Sequence, residues 1–347
     1  MRTLVAALVA PIAALSCAAP IDPETPPPPR LLSSELLVDR GARALDVGDV
    51  DGDGRPDLLV VFGDPSSPGE DHGLSLRRSR MAMDRRRILV GIASARLGDV
   101  DGDGVADVVV ADGQGLGVLR GSADGPRPMD LRRAGREREL LAVRTSADGA
   151  EALVSDTRGR VSIAPMGRPQ APATEIDVAP LRVRLVADAD GDGVADLLLE
   201  LPSGELGLRR GKGATFEPAA WLLGPRHADA IAVAPGLVTA ASGRHLMVLV
   251  AEGRGFRRRA SVELARAPKA LALADVDADG RVDLLSASAH ALDVLCDVAS
   301  GARPCLSERG PWEKPLDLRV ADLDGDGRSE LLVADPDAGA HVVRIGL

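Results

Sequence analysis

"GDVDGDGRPDLLV", residues Gly48 to Val60, sets four aspartates between Asp49 and Asp57 and then turns apolar. "GDVDGDGVADVVV" repeats it from Gly98, and three more copies follow: "DADGDGVAD" from Asp188, "DVDADGRVD" from Asp275 and "DLDGDGRSE" from Asp322. The five starts lie 50, 89, 87 and 47 residues apart. Two intervals are thus close to double a period of about 45 residues, the length of one repeat unit in a propeller or solenoid. Each long interval holds an altered copy. "RTSADGAEALV" from Arg144 keeps Asp148, Gly149 and the apolar run, but has Arg144, Ser146 and Ala152 where acids would fall. "AIAVAPGLVTA" around Ala230 keeps two apolar runs and a turn without any acid. The count is therefore seven units.

Within a unit, an apolar segment such as "ARALDV" enters the acidic loop and "DLLVV" leaves it. A third segment such as "GLGVLRGS" or "GELGLRRG" follows, then a fourth such as "RRRILVGIA". Short apolar runs bounded by turn residues read as strands, and no window carries a three-turn amphipathic helix. Four antiparallel strands per unit predict an all-β, seven-bladed β-propeller over residues 31–347. The last unit shows three strands before Leu347, and Leu31 to Asp39 ("LLSSELLVD") is a strand without a unit of its own. This N-terminal strand is expected to complete the last blade, leaving no open sheet edge there.

Each loop has acids at relative positions 1, 3, 5 and 9 and Gly at 6. Alternate side chains of a tight loop converge, and carboxylates so close repel unless a cation sits among them. An all-oxygen set points to Ca²⁺, not to a metal that prefers imidazole or thiolate. The candidate ligands are Asp49, Asp51, Asp53 and Asp57; Asp99, Asp101, Asp103 and Asp107; and Asp188, Asp190, Asp192 and Asp196. The last two loops offer Asp275, Asp277, Asp279 and Asp283, then Asp322, Asp324, Asp326 and Glu330. Position 7 can add a backbone carbonyl, from Arg55, Val105, Val194, Arg281 and Arg328. These are not EF-hands, which need a bidentate Glu at position 12, where Val60, Val110, Leu199, Ser286 and Val333 stand. About five structural Ca²⁺ sites are expected. Twenty of the 52 acids lie in these loops, and five divalent cations would offset the formal charge of −10.

The pattern resembles the FG-GAP/VCBS repeat family, which includes the propeller head of integrin α subunits. Its carriers are the five loops together with "LGLRRGKGATF" (Leu206 to Phe216) and "VVFGD" (Val60 to Asp64), and the Phe-Gly pair is clear only at Phe62–Gly63. The resemblance implies that each acidic loop joins the first two strands of a blade and holds one Ca²⁺ through the acids named above.

The core must be built from Val, Leu, Ile and Ala, because aromatics are 1% of the chain and Tyr is absent. The acidic balance argues against nucleic acid as a partner. Arg2 and the apolar run Leu4 to Leu15 read as an export signal, too short to span a bilayer comfortably. "AALSCAAP" resembles a bacterial lipoprotein signal, which implies cleavage after residue 16 and lipidation of Cys17; plain secretion is the alternative. Residues 17–30, with "PIDPETPPPPR" from Pro20, then form an extended Pro-rich linker. With Cys17 lipidated, Cys296 and Cys305 remain as an even pair, either a disulfide or two buried thiols. The expected setting is a bacterial envelope, with the membrane reached through the anchor alone.

No catalytic motif is present, and His72, His227, His245, His290 and His341 are scattered without ligand spacing. A monomeric propeller acting as a protein-binding, adhesion or scaffold module is expected, with a protein or envelope component as partner. A glycan-binding propeller is the alternative, although only Trp221 and Trp312 could stack on sugar rings while Phe62, Phe216 and Phe256 suit cores or hairpins. An enzyme with a site assembled from loops is the third reading. "DRRR" (Asp84 to Arg87) and "RRR" (Arg257 to Arg259) are expected to be solvated strand or hairpin faces, with a polyanion contact as the alternative.

Overall fold

The acidic strings sit at the first hairpin of each of five blades in a computed structural model of the protein. It describes residues 30–38, 41–63, 73–79, 92–112, 115–134, 137–146, 149–156, 158, 160–168, 170–177, 181–218 and 220–346. Cys17, the signal, the linker, His72, Asp148 and the segment Asp84 to Arg87 lie outside these residues. The described residues contain no helix, and seven antiparallel sheets form a propeller.

Blade 1 contains strands Ala42–Gly48, Asp57–Phe62 and Gly73–Arg77; residues 80–91, where a fourth strand was expected, lie outside the described residues. Blades 2 and 3 run Ser94–Gly98 to Arg127–Ala134 and Glu137–Ser146 to Thr174–Ile176. Blade 4 runs from Arg182–Ala187 to Trp221–Arg226, blade 5 from Ala230–Ala234 to Gly255–Glu263 and blade 6 from Ala270–Ala274 to Arg303–Glu308. Sequence order equals spatial order in these sheets. Blade 7 departs from that rule as the sequence predicts. Its strands Asp317–Ala321, Glu330–Asp335 and Gly339–Gly346 are joined by Arg30–Val38, which pairs Leu31 with Ile345 and Val38 with Ala340. Strands from opposite ends of the described chain thus close the ring.

The core is distributed. Seven apolar clusters form, each shared by two neighbouring blades: Leu59, Val61 and Val108 between blades 1 and 2, for example, and Leu285, Val294 and Leu331 between 6 and 7. Each blade buries both faces, so the second strands read as continuous apolar runs, as in DLLVVF or DVVVA. Polar clasps at the innermost strands reinforce two of these junctions. Asp317 Oδ2 accepts from Leu45 N at 3.0 Å, and Asp46 Oδ2 accepts from Leu97 N at 2.8 Å. Burial pushes the Asp317 carboxyl up, partly offset by Arg319.

Trp312 is fully buried, its Nε1 donating to Ser288 O at 2.9 Å. It is core, and only Trp221, 42% exposed, keeps an accessible indole. Arg257, Arg258 and Arg259 lie exposed on the outer strand of blade 5.

Candidate functional site: seven corners and a channel mouth

Each intact acidic loop links the innermost strand of its blade to the second strand. The backbone turns sharply because positions 4 and 6 are left-handed: Gly52 and Gly54 have φ of 75° and 81°, Gly102 and Gly104 of 81° and 86°. In blade 6 position 4 is Ala278, held at φ 56°.

The carboxylates do two jobs in this geometry. Asp99 Oδ1 accepts from Gly102 N and Asp103 N at 2.7 and 3.2 Å, and its Oδ2 accepts from Gly104 N at 3.0 Å. Asp49, Asp188 and Asp322 repeat these contacts, so position 1 organises the turn. Asp275 makes two of them, to Asp279 N and Gly280 N. Carboxylate oxygens nevertheless remain close together. One oxygen from each of Asp49, Asp51 and Asp53 lies within 4.8 Å of the others, and the same holds for Asp99/Asp101/Asp107, Asp188/Asp190/Asp192 and Asp275/Asp277/Asp279. Such convergence suits an oxygen-liganded cation. At position 7, the amides of Arg55, Val105, Val194, Arg281 and Arg328 donate to the position-5 aspartate.

Position 9 is the buried anchor. Asp57, Asp107, Asp196 and Asp283 are 0% exposed and Glu330 is 3% exposed. Asp107 Oδ2 accepts from Val100 N and Oδ1 from Gly121 N, both at 2.8 Å, tying the loop to the end of the third strand. Burial pushes Asp57, Asp196 and Asp283 up to about 6 against these hydrogen bonds, and raises Asp107 and Glu330 as well.

Sequence reasoning passed over an arginine at the end of the third strand. Arg120 Nε lies 2.9 Å from Asp101 and its Nη2 donates to Asp103 at 2.8 Å, holding the Asp103 carboxyl below its usual range. Arg210 pairs with Asp190 at 2.9 Å, Arg344 with Asp324 at 2.6 Å, and Arg78 with Asp51 at 3.9 Å. The signal was present in "LRRS", "VLRGS", "LRRGKG" and "VVRIGL", each with an arginine after the third apolar run.

The two altered corners are built differently. In blade 5 a two-residue turn joins Ala234 to Leu237. In blade 3 the strands pair out to Ser146 and Gly149, and Arg144 Nη2 meets Glu151 at 3.0 Å, both side chains 9% exposed. The Arg144 guanidinium also lies 4.9 Å from the Phe216 ring centroid.

At the opposite end of the ring, the starts of the innermost strands from all seven blades surround a cavity of about 870 Å³. Arg43, Arg96, Glu139, Arg184, Lys269 and Asp317 supply charge around it. Arg43 is committed to Ile92 O and Ala93 O, and Arg184 to Glu200 and Ala228 O. Glu139, Asp229, Lys269 and the 54%-exposed Leu316 face solvent.

Cys296 and Cys305 are joined by a disulfide, with Cα atoms 5.8 Å apart. His341 is 6% exposed beside Ala338 O at 3.0 Å, whereas His227, His245 and His290 are exposed. Trp221 Nε1 donates to Glu217 Oε2 at 3.2 Å with Arg210 over its ring, and Phe216 and Phe256 pack partly buried.

No model of a known protein family matches the chain, and no curated protein matches it. Solved structures do. The chain is similar to BBS1N in a complex with ARL6DN soaked with lead, with TM-score 0.65, 13% identity, and coverage of 92% of this chain and 97% of that one. The Pan2 WD40 domain of Neurospora crassa is similar with TM-score 0.61 and 10% identity, covering 92% and 96%. At such identities the likeness establishes the fold: this chain is a seven-bladed β-propeller.

Proposed function

We propose that the chain is a protein-binding or scaffold module whose ring is held by Ca²⁺ at the five acidic loops and which recognises its partner at the channel mouth. The observation that carries the binding reading is the mouth itself, where exposed Glu139, Asp229, Lys269 and Leu316 converge from four blades on the face opposite the loops. The similar propeller solved with ARL6DN supports a protein partner. The oxygens that converge at positions 1, 3 and 5 in three loops, and at positions 1, 3 and 9 in the loop of Asp99, support the cation reading. We read the ions as structural, since the carboxylates also carry the backbone of the turn. Burial of Trp312 weakens the glycan alternative, and no observed constellation favours a catalytic role.

Export by the N-terminal signal, lipidation of Cys17 and tethering through the Pro-rich linker complete the proposal and place the ring at a bacterial envelope. Metabolic labelling with a palmitate analogue tests the anchor: label incorporated by the full-length chain must vanish in Cys17→Ser.

The mouth is tested by crosslinking full-length protein in its native envelope. A partner captured by the wild type, lost with Glu139→Lys/Lys269→Glu and retained with Arg328→Glu on the loop face, is the expected result. Equal capture by the mouth variant overturns the assignment, as does binding only to a glycan array.

A further inference from the structure

Blade 6 breaks the arginine rule. The residue whose amide donates to the position-9 carboxylate is Ser79, Gly121 and Gly211 in blades 1, 2 and 4, and Asp297 in blade 6. The residue just before it is Arg78, Arg120 and Arg210 in the first three, and Cys296 in blade 6. A disulfide sulfur thus stands where the other blades place a guanidinium against the position-3 aspartate. Asp277 is left 6% exposed, and its Oδ1 has no hydrogen-bond partner. The nearby cations are engaged elsewhere: Arg281 pairs with Asp279 and Asp297, and Arg303 with Asp297.

The same residue belongs to a mixed donor set. Donor atoms of Asp277, Asp283 and Cys296 all lie within 4.8 Å of one another, and all three residues are buried. Asp283 is oriented by Val276 N and Asp297 N at 3.0 Å each, outer contacts of the kind that fix a ligand. While the disulfide is intact its sulfur is a poor ligand. As a thiolate, it would join two carboxylates in a set that suits Zn²⁺ or Cd²⁺, with a water completing tetrahedral coordination. We propose that Asp277, Asp283 and Cys296 form a masked site for one thiophilic divalent cation, opened by reduction of the Cys296–Cys305 disulfide.

The chemistry balances with a dithiol as reductant. Its thiolate attacks the more exposed sulfur of Cys305 and expels Cys296 as thiolate; its second thiolate then releases Cys305 and closes a cyclic disulfide. Two electrons move to the protein, Cys305 takes up a proton, and the Cys296 thiolate bonds the cation. A Cys296 thiol that has picked up a proton returns it to solvent on binding. The inference shares Asp277 and Asp283 with the calcium reading but does not rest on it, because calcium effects are read in the oxidised protein.

The test uses the full-length chain with Cys305→Ser, which frees Cys296 without reductant. Cadmium is titrated without added Ca²⁺, which would compete for Asp277 and Asp283, while the ultraviolet sulfur-to-cadmium charge-transfer band is followed. One Cd²⁺ per chain with that band is expected, absent from oxidised wild type and from the Cys296→Ser/Cys305→Ser double variant. Asp277→Asn on the Cys305→Ser background is expected to weaken binding about ten-fold or more. Wild type reduced with dithiol and then freed of it by anaerobic gel filtration, with its fold checked by circular dichroism, repeats the measurement should Cys305→Ser not fold. No band with freed Cys296, a band insensitive to Asp277→Asn, or equal binding by the oxidised protein overturns the proposal.

Discussion

Blades 2 and 3 are neighbours with the same strand order and a shared apolar cluster, yet their first corners solve opposite problems. Blade 2 gathers Asp99, Asp101, Asp103 and Asp107 with Arg120 as the partner of two of them. Blade 3 has an almost loopless hairpin in which buried Arg144 and Glu151 neutralise one another. One corner carries surplus negative charge that a cation can satisfy; the other closes with side chains alone. Fold and acidic loop are therefore separable in this chain: a blade needs its apolar strands, and the acidic loop is one of two ways to turn between them.

Breaking the blade 3 pair gives the largest expected effect. Arg144→Ala strands a buried carboxylate and should cost about 3–5 kcal/mol in chemical denaturation. The loss should be equal in Ca²⁺ and in chelator, and dependence on Ca²⁺ would erase the contrast between the corners. Asp107→Ala is comparable in size. It orphans the amides of Val100 and Gly121, at about 1–3 kcal/mol for each buried amide left without an acceptor. Here the loss should be greater in Ca²⁺ than in chelator, because the variant also removes a proposed ligand.

Acidification sharpens the comparison further. In chelator the raised carboxyls of Asp57, Asp196 and Asp283 take up protons near pH 6, above the range of the unfolded chain. The folded state then binds more protons than the unfolded one between about pH 4 and about pH 6, so these groups add stability as pH falls through that window. His341, pulled down by burial, works in the other direction and loses stability as pH falls below about 6.5. With Ca²⁺ bound as proposed, protons would compete with the ion at those carboxylates. The gap in melting temperature between Ca²⁺ and chelator should therefore shrink from pH 7 to pH 5, and a constant gap would show that the buried acids take no part. The smallest effect is at Ala278: Ala278→Gly relieves a left-handed alanine and should raise stability by at most about 1 kcal/mol.

The ring was legible because its signals are local. The period, the five acidic strings and the isolated strand at Leu31 each reside in a few consecutive residues, and closure by Arg30–Val38 follows from counting them. What pairs across strands was not legible. Arg144 shows as a departure from the acidic pattern, but Glu151 and Phe216 become its partners only when the hairpin folds and blade 4 packs against it. The arginines on the third strands are likewise one strand removed from the carboxylates they meet. Trp312, eligible for a sugar platform by residue type, is taken by the blade 6–7 core. The channel mouth draws on residues from Arg43 to Arg319, so no single window contains it.

Hydrogen–deuterium exchange on the full chain, compared in Ca²⁺ and in excess chelator, tests the central claim most directly. Ca²⁺ should protect peptides covering 49–57, 99–107, 188–196, 275–283 and 322–330, while those covering 137–146 and 230–242 exchange alike in both conditions. Equal exchange of all these peptides with and without Ca²⁺ would contradict the account of a ring held at five corners by cations and at two without them.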